Sequence, residues 1–189
     1  MGQLARWSAE SLSDAFREQL APRGLVPTVS FEADVFSPEL CEEVGYSPAA
    51  DLLVECTWNG EEFHAWIELE VSRADPVANP AKFLAALSER SPRRGEVFVF
   101  ALSRAVQRGR AALCRRFIEL MRARGFPVYA EDLLPSATEH LITRLNVRSR
   151  EEFETVFARE PDSVRESLKR DLHVLAQRVQ QYATARREE

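Results

Sequence analysis

The sequence has 189 residues, of which 45% are hydrophobic and 29% are charged, and this balance is typical of a globular protein and not of a disordered chain. No apolar run approaches the ~18 residues that a membrane-spanning helix needs, and the first residues lack the order of a signal peptide, so we expect a cytoplasmic protein without a membrane partner. The net charge of -5 argues against a surface covered in positive charge, but a local basic groove is compatible with the arginine-rich stretches RSPRRGE and RGRAALCRRF.

The first part of the chain predicts one helix and one strand. Apolar residues recur at helical spacing from Ser8 to Leu20, and Ser8 is the expected N-cap. Alternation of apolar and polar residues over Val29–Val35 predicts a half-buried strand. We expect the stretch that follows, SPELCEEVGYSP, to be a loop because it contains two prolines and a glycine.

The stretch DLLVECTWNGEEFHAWIELEVSR, residues 51–73, contains two apolar runs on either side of Asn59-Gly60. An Asn-Gly pair between alternating runs predicts a β-hairpin, because a two-residue type I′ turn needs a positive φ at both central positions. If Trp58 pairs with Glu61, the same register continues along both strands. This register therefore predicts, for each residue of the hairpin, the face of the sheet from which its side chain projects.

The predicted register separates an apolar face from an acidic one. The apolar face, which we expect to be the core side, carries Leu52, Val54, Cys56, Trp58, Phe63, Ala65, Ile67 and Leu69. On the other face Asp51 lies opposite Glu68, with Glu70 beside them. Facing carboxylates repel each other unless a proton or a cation lies between them, and their oxygens suit Mg²⁺ or Mn²⁺ better than zinc. The pattern therefore predicts a divalent metal site and phosphoryl chemistry.

The middle of the chain predicts a parallel part of the sheet. A helix is expected from Asn79, a possible N-cap, because Pro80 suits a first turn and apolar residues follow at helical spacing. The run at 96–102 predicts a strand that is covered on both faces, and Arg110–Arg124 predicts a helix. Another strand is expected at FPVYA, so that strand, helix and strand form a parallel pair with a right-handed crossover. We therefore expect an α/β fold with a mixed central sheet flanked by helices.

The C-terminal part lacks strand signals and predicts a long helix from Asp162 to Arg187 with a single apolar seam. The seam has two possible roles, since it can pack on its own domain or form the contact of a homodimer. We accordingly divide the chain into an α/β core, residues 1–135, and a helical C-terminal extension, residues 136–189.

The acidic pattern resembles that of the PD-(D/E)XK, or restriction endonuclease-like, nuclease superfamily. In that family an Asp at the start of one strand precedes an acidic-x-basic triplet at the end of the next, within the order helix, three strands, helix, strand. Here AAD, residues 49–51, resembles the first motif and ELE, residues 68–70, the second, and the resemblance covers roughly residues 8 to 130. The chain departs from the family where the usual proline is displaced to Pro48 and where Glu70 replaces the usual lysine.

The resemblance implies a set of site residues. Mg²⁺ or Mn²⁺ would be held by Asp51, Glu68, the main-chain carbonyl of Leu69 and Glu70, and Glu70 would either accept a proton from the attacking water or bind a second metal ion. Lys82, on the helix after the second motif, is a candidate to replace the missing lysine. The candidates for contacts with a nucleic-acid backbone are Arg73, Arg90, Arg93 and Arg94.

Three functions remain open from the sequence. The first is a metal-dependent nuclease that hydrolyses phosphodiesters of nucleic acid, with DNA the expected substrate. The second is a binding or assembly module with the nuclease fold and without catalysis, and the third is an interaction domain unrelated to nucleases. Strings typical of nucleotide-binding loops, zinc proteases and serine hydrolases do not occur in the sequence.

Overall fold

A five-stranded mixed sheet with helices on both faces forms the centre of the protein, as the sequence predicts. The structure is a computed structural model that describes residues 2–58, 61–72 and 76–188. The strands are β1 Thr28–Asp34, β2 Ala49–Trp58, β3 Glu61–Glu70, β4 Glu96–Leu102 and β5 Val128–Asp132. The helices are α1 Gln3–Leu20, α2 Pro38–Val44, α3 Ala78–Glu89, α4 Arg108–Arg122, α5 Glu139–Leu145, α6 Arg150–Ala158 and α7 Asp162–Glu188.

The sheet follows the order of the chain, β1-β2-β3-β4-β5. The first three strands pair antiparallel, whereas β4 pairs parallel with both β3 and β5. Each parallel pair requires a crossover, and the helices α3 and α4 supply the two crossovers. The predicted parallel pair, β4 and β5, is therefore confirmed.

The predicted register of the hairpin is also confirmed along most of its length. The turn residues Asn59 and Gly60 lie outside the described residues, but the pairs run without a break from Trp58 with Glu61 to Leu52 with Ile67. A constant register keeps every second residue on the same face of the sheet. It therefore brings Asp51, Glu68 and Glu70 toward one edge of one face.

The apolar face of the hairpin belongs to the larger of two hydrophobic cores. Helices α1, α5, α6 and α7 cover this face, and β4 contributes residues to it. Its fully buried strand residues are Leu52, Val54, Ala65, Ile67, Val97, Val99 and Ala101. This core fixes the strands from which the acidic side chains project.

The opposite face, which the sequence led us to expect as polar, is largely a second core. Helices α3 and α4 cover it with Phe83, Leu87, Cys114, Ile118 and Met121, which pack on the aromatic residues of β4. Trp66 lies in this core 6.1 Å from Phe83, centroid to centroid. The expectation was wrong for the middle of this face because it treated the hairpin as an isolated layer. Polar side chains remain at the edges of the face, where the covering helices end.

The predicted seam of α7 lies against the chain's own core. Its residues Leu168, Leu172, Leu175 and Val179 are buried with side chains of α1 in the larger cluster. Residues 136–188 thus share a core with the strands. Among the described residues, no helix has the length and apolar character to cross a membrane.

Three local predictions were wrong. Helix α1 begins at Gln3, and Ser8 is buried inside it, because Leu4 and Ala5 extend its apolar face toward the N-terminus. The expected loop after β1 contains the short helix α2, whose N-cap Ser37 accepts a hydrogen bond from the Leu40 N–H. Helix α3 begins at Ala78, so Asn79 is not its N-cap.

Candidate functional site

A polar cleft of about 330 Å³ lies at the edge of the sheet where β2 begins and β3 ends. Strand β3 contributes its last residues to the cleft, and α3 contributes its first turns. The side chains with polar or charged groups in its lining are Tyr46, Asp51, Glu68, Glu70, Ser72, Asn79, Lys82 and Asn146. The structure therefore brings together the three predicted carboxylates and the predicted lysine.

Asp51 is positioned by the end of the neighbouring strand. Its Oδ2 accepts a hydrogen bond of 2.7 Å from the Leu69 N–H. Because Leu69 stands between Glu68 and Glu70 in β3, this bond holds the Asp51 carboxylate beside both glutamates. Leu69 itself lines the cleft, as its predicted main-chain role requires.

Glu68 is the most deeply buried of the four charged groups, with 3% of its surface exposed. Its Oε1 lies 2.6 Å from Lys82 Nζ, but within the described residues this oxygen forms no well-aligned hydrogen bond. Burial above all, with smaller contributions from the nearby Asp51 and Glu70, raises the pKa of Glu68 to about 8, although Lys82 opposes the rise. In this arrangement the carboxyl of Glu68 carries a proton at neutral pH.

Lys82 reaches the cleft from α3 and is held at two points. Its ammonium donates a hydrogen bond of 2.5 Å to the Ala49 carbonyl and lies 2.6 Å from Glu68 Oε1. It also lies 5.5 Å from the centroid of the Phe83 ring. A lysine near the start of a helix is usually exposed, but here the two oxygen atoms of Ala49 and Glu68 hold its ammonium inside the cleft.

Asn79 is a residue of the site that the sequence interpretation missed. Its amide donates a short hydrogen bond to Glu70 Oε1, and both side chains are buried. Asn79 lies three residues before Lys82, so the two side chains project from one face of α3. That spacing, on a helix directly after the second motif, is the signal that could have identified it.

Three of the four predicted arginines, Arg90, Arg93 and Arg94, do not line the cleft. Arg73 lies outside the described residues. Arg90 forms two hydrogen bonds to Glu96, at the start of β4, and Glu96 pairs with His64 in β3. The stretch that contains Arg90, Arg93 and Arg94 thus lies beside the opposite end of β3, some 13 to 20 Å along the strand from the glutamates of the cleft.

The donor set of the cleft suits a hard divalent cation. Three carboxylates offer oxygen ligands, and Glu68 Oε1 is a buried acceptor without a well-aligned donor. The side chains are nevertheless turned toward the protein's own donors, the Leu69 N–H, Lys82 and Asn79. Accordingly, no group of three His, Cys, Asp or Glu residues in residues 2–58, 61–72 and 76–188 is already arranged around a common metal position.

The residues of the cleft themselves indicate its chemistry. Comparisons with family models, curated proteins and solved structures find no match. The arrangement combines a carboxyl with a raised pKa, two further carboxylates and an ammonium group at the mouth of one cavity. Such a combination can bind a cation and exchange protons with a bound substrate or water.

Proposed function

We propose that this protein is a metal-dependent nuclease that hydrolyses phosphodiesters of nucleic acid, with DNA as the first substrate to test. One observation carries the proposal: Asp51, Glu68, Glu70 and Lys82 come from three separate elements and converge in one polar cleft beside an apolar core. Structural roles alone do not account for three carboxylates at one place, because each raises the cost of ionising the others.

The fold order also supports a restriction endonuclease-like core. Helix α1 precedes the three antiparallel strands β1, β2 and β3, and α3 then leads to β4, parallel with β3. Helix, three strands, helix and strand is the order that the resemblance to the PD-(D/E)XK superfamily implies. The short helix α2 is inserted between the first two strands.

Mg²⁺ or Mn²⁺ would be held by Asp51, Glu68 and Glu70 together with the Leu69 carbonyl. When bound, the ion supplies positive charge to the phosphate and lowers the pKa of a water molecule. The residues of the chain have separate tasks around it. Glu68 would release its proton to solvent when it holds the cation, and Asp51 would stay oriented by the Leu69 N–H. Glu70, held by Asn79, is placed to accept a proton from the attacking water.

Lys82 supplies the positive charge that Glu70, in the position of the family's lysine, does not offer. In the metal-free site its ammonium lies 2.6 Å from Glu68 Oε1. With a cation on the carboxylates, this ammonium would be able to turn toward a phosphate oxygen, which a flexible four-carbon side chain permits.

A cleavage assay with exchanged charges tests the proposal. Single- and double-stranded DNA and RNA are incubated with Mg²⁺ or Mn²⁺ and separated on gels. We expect Glu68→Gln and Lys82→Met each to lower the cleavage rate at least ~100-fold, and Glu70→Lys combined with Lys82→Met to restore part of it. Lys169→Met, at an exposed lysine of α7, is the matched control and should cleave like the native protein.

A catalytically inactive binding module with the same fold is the second candidate. The observation that favours it is that Asp51, Glu68 and Glu70 all face donors of the chain itself. The two candidates differ in metal affinity. If the native protein and Glu70→Lys are inert with every metal ion and neither binds Mn²⁺, the nuclease proposal fails and the module replaces it.

A further inference from the structure

A second groove of about 690 Å³ opens next to the cleft, at the ends of β4 and β5. Leu102 at the end of β4 pairs with Glu70 at the end of β3, and the next residue, Ser103, donates its N–H to the Glu70 carbonyl at 2.9 Å. Ser103 Oγ also donates to the Val71 carbonyl. Because Ser103 lines the groove and Glu70 lines the cleft, this hydrogen bond places the two cavities next to each other.

The groove is lined by two arginines whose side chains have no hydrogen-bond or ion-pair partner among the described residues. Arg104, in the loop after β4, and Arg108, at the start of α4, line it and are exposed. Across residues 2–58, 61–72 and 76–188, neither side chain forms an ion pair or a hydrogen bond. Arg115, in contrast, pairs with Asp132 at 2.5 Å. Among the described residues, Arg104 and Arg108 thus offer two positive charges without an ion pair beside the cleft, in a groove whose lining also contains Glu139.

A polyanionic substrate needs such charges near the cleft. The whole chain has a net charge of -5, and the cleft contains the carboxylates of Asp51 and Glu70, so both repel phosphate before a metal ion is bound. Arginine at an exposed groove attracts phosphate oxygens and can bind two of them at once. The groove is therefore the place on this edge of the sheet where a phosphodiester backbone is attracted.

We propose that the backbone of the nucleic-acid substrate runs from the cleft across the ends of β3 and β4 into this groove, where Arg104 and Arg108 bind its phosphates. The inference rests on the proposed function, since it assigns the path of that substrate. It also replaces the sequence-based placement of the backbone at Arg90, Arg93 and Arg94, which lie beside the other end of β3.

The test is a binding measurement that does not depend on cleavage. Fluorescence anisotropy measures the affinity of the native protein for labelled duplex DNA, single-stranded DNA and RNA. The titrations are made in EDTA at a series of salt concentrations. We expect Arg104→Gln/Arg108→Gln to weaken binding at least ~10-fold at low salt and to reduce the slope of log K against log[salt] by about two. The matched control, Arg124→Gln/Arg159→Gln, removes two exposed charges elsewhere and should bind within ~2-fold of the native protein.

Each outcome of the comparison has a distinct consequence. Equal binding by the groove variant and the native protein overturns the inference, and the cleavage assay then decides the proposed function separately. A larger loss in Arg93→Gln/Arg94→Gln than in the groove variant also overturns it, because the backbone then lies at the other end of the sheet. Binding that depends on Arg104 and Arg108 without any cleavage supports the groove and rejects catalysis. Absence of nucleic-acid binding in the native protein also overturns the inference, and the cleavage assay with Mg²⁺ or Mn²⁺ again decides the proposed function separately.

Discussion

Two glutamates in neighbouring strands, Glu68 in β3 and Glu96 in β4, are both almost completely buried. They differ in the number of hydrogen-bond donors that surround the carboxyl group. Glu96 is 1% exposed and accepts hydrogen bonds from both outer nitrogens of Arg90 at 2.6 and 2.7 Å, from the Arg93 N–H at 2.8 Å and from Trp66 Nε1 at 2.9 Å. Burial raises the pKa of Glu96, but these donors outweigh burial and the pKa is lowered. Within the part of the chain that the structure describes, Glu68 has one nearby cation, Lys82, and two neighbouring carboxylates, and burial above all raises its pKa.

The difference separates a structural carboxylate from a candidate functional one. A buried charge that stabilises a fold has its hydrogen bonds satisfied, as Glu96 has. A buried carboxyl that is kept without enough donors weakens the fold unless something else binds it. Glu68 is in that state in the described structure, and this is why we propose it as a ligand of a cation.

The largest effect that we expect concerns the pH dependence of stability in EDTA. Between pH 4.5 and about 8 folded Glu68 keeps a proton that the unfolded chain has lost, so the free energy of unfolding falls as pH rises through this window. Glu68→Gln cannot lose a proton there, and its advantage over the native protein should grow by up to about 4 kcal/mol across the window. Urea unfolding at a series of pH values measures the difference.

Glu96→Gln is the matched control for that experiment and should behave in the opposite way. Because the pKa of Glu96 is lowered, its ionised form contributes stability above pH 4.5 and loses it only as pH falls further. Its difference from the native protein should therefore be constant between pH 4.5 and 8. Parallel curves for both variants throughout that window would refute the contrast between the two glutamates.

The second prediction concerns the stability that is lost when the basic side chain beside each glutamate is replaced by methionine. Arg90→Met leaves Glu96 buried without its ion pair, and we expect a loss of about 2–3 kcal/mol, below the range for fully buried pairs because the Arg90 side chain is 35% exposed. Lys82→Met should cost less than about 1 kcal/mol at pH 7, since Glu68 is already protonated there. Chemical denaturation of the two variants checks this, and equal losses would show that Lys82 has a structural role like that of Arg90.

The smallest effect is stabilisation by metal. Mn²⁺ at ten to a hundred times its dissociation constant should stabilise the native protein by about 1–3 kcal/mol through mass action. Asp51→Ala removes a predicted ligand and should show no rise in thermal midpoint with Mn²⁺. A rise of equal size in both proteins would place the binding of the ion elsewhere on the chain.

The sequence predicted the hairpin side of the cleft better than its helical side. Turn chemistry and strict alternation fix a hairpin register, so the edge shared by Asp51, Glu68 and Glu70 could be derived from the pattern alone. Lys82 could be proposed only because the family's lysine is missing. Asn79 was interpreted as a cap, because its contact with Glu70 depends on how α3 packs on the sheet.

Features that depend on two layers could not be derived from local patterns. The second core was missed because Trp66 is covered by apolar side chains of α3 and α4, and the sequence of the hairpin does not show where these helices pack. The arginines predicted to contact a nucleic-acid backbone were identified from arginine-rich stretches of the sequence. Such stretches do not show that Arg90 is bound to Glu96, whereas Arg104 and Arg108 are exposed. Helix α2 is a different case, since Ser37, Pro38 and Gly45 are ordinary signals of a helix start and end.

The most direct test of the central claim is titration calorimetry of Mn²⁺ into the native protein, Glu68→Gln and Glu62→Gln. Glu62 is an exposed carboxylate on the same strand, 69% exposed at its side chain, and it lies outside the cleft. Our account predicts saturable binding of Mn²⁺ to the native protein and to Glu62→Gln, and at least ~10-fold weaker binding to Glu68→Gln. Absence of binding to the native protein, or equal affinity in all three proteins, would contradict it.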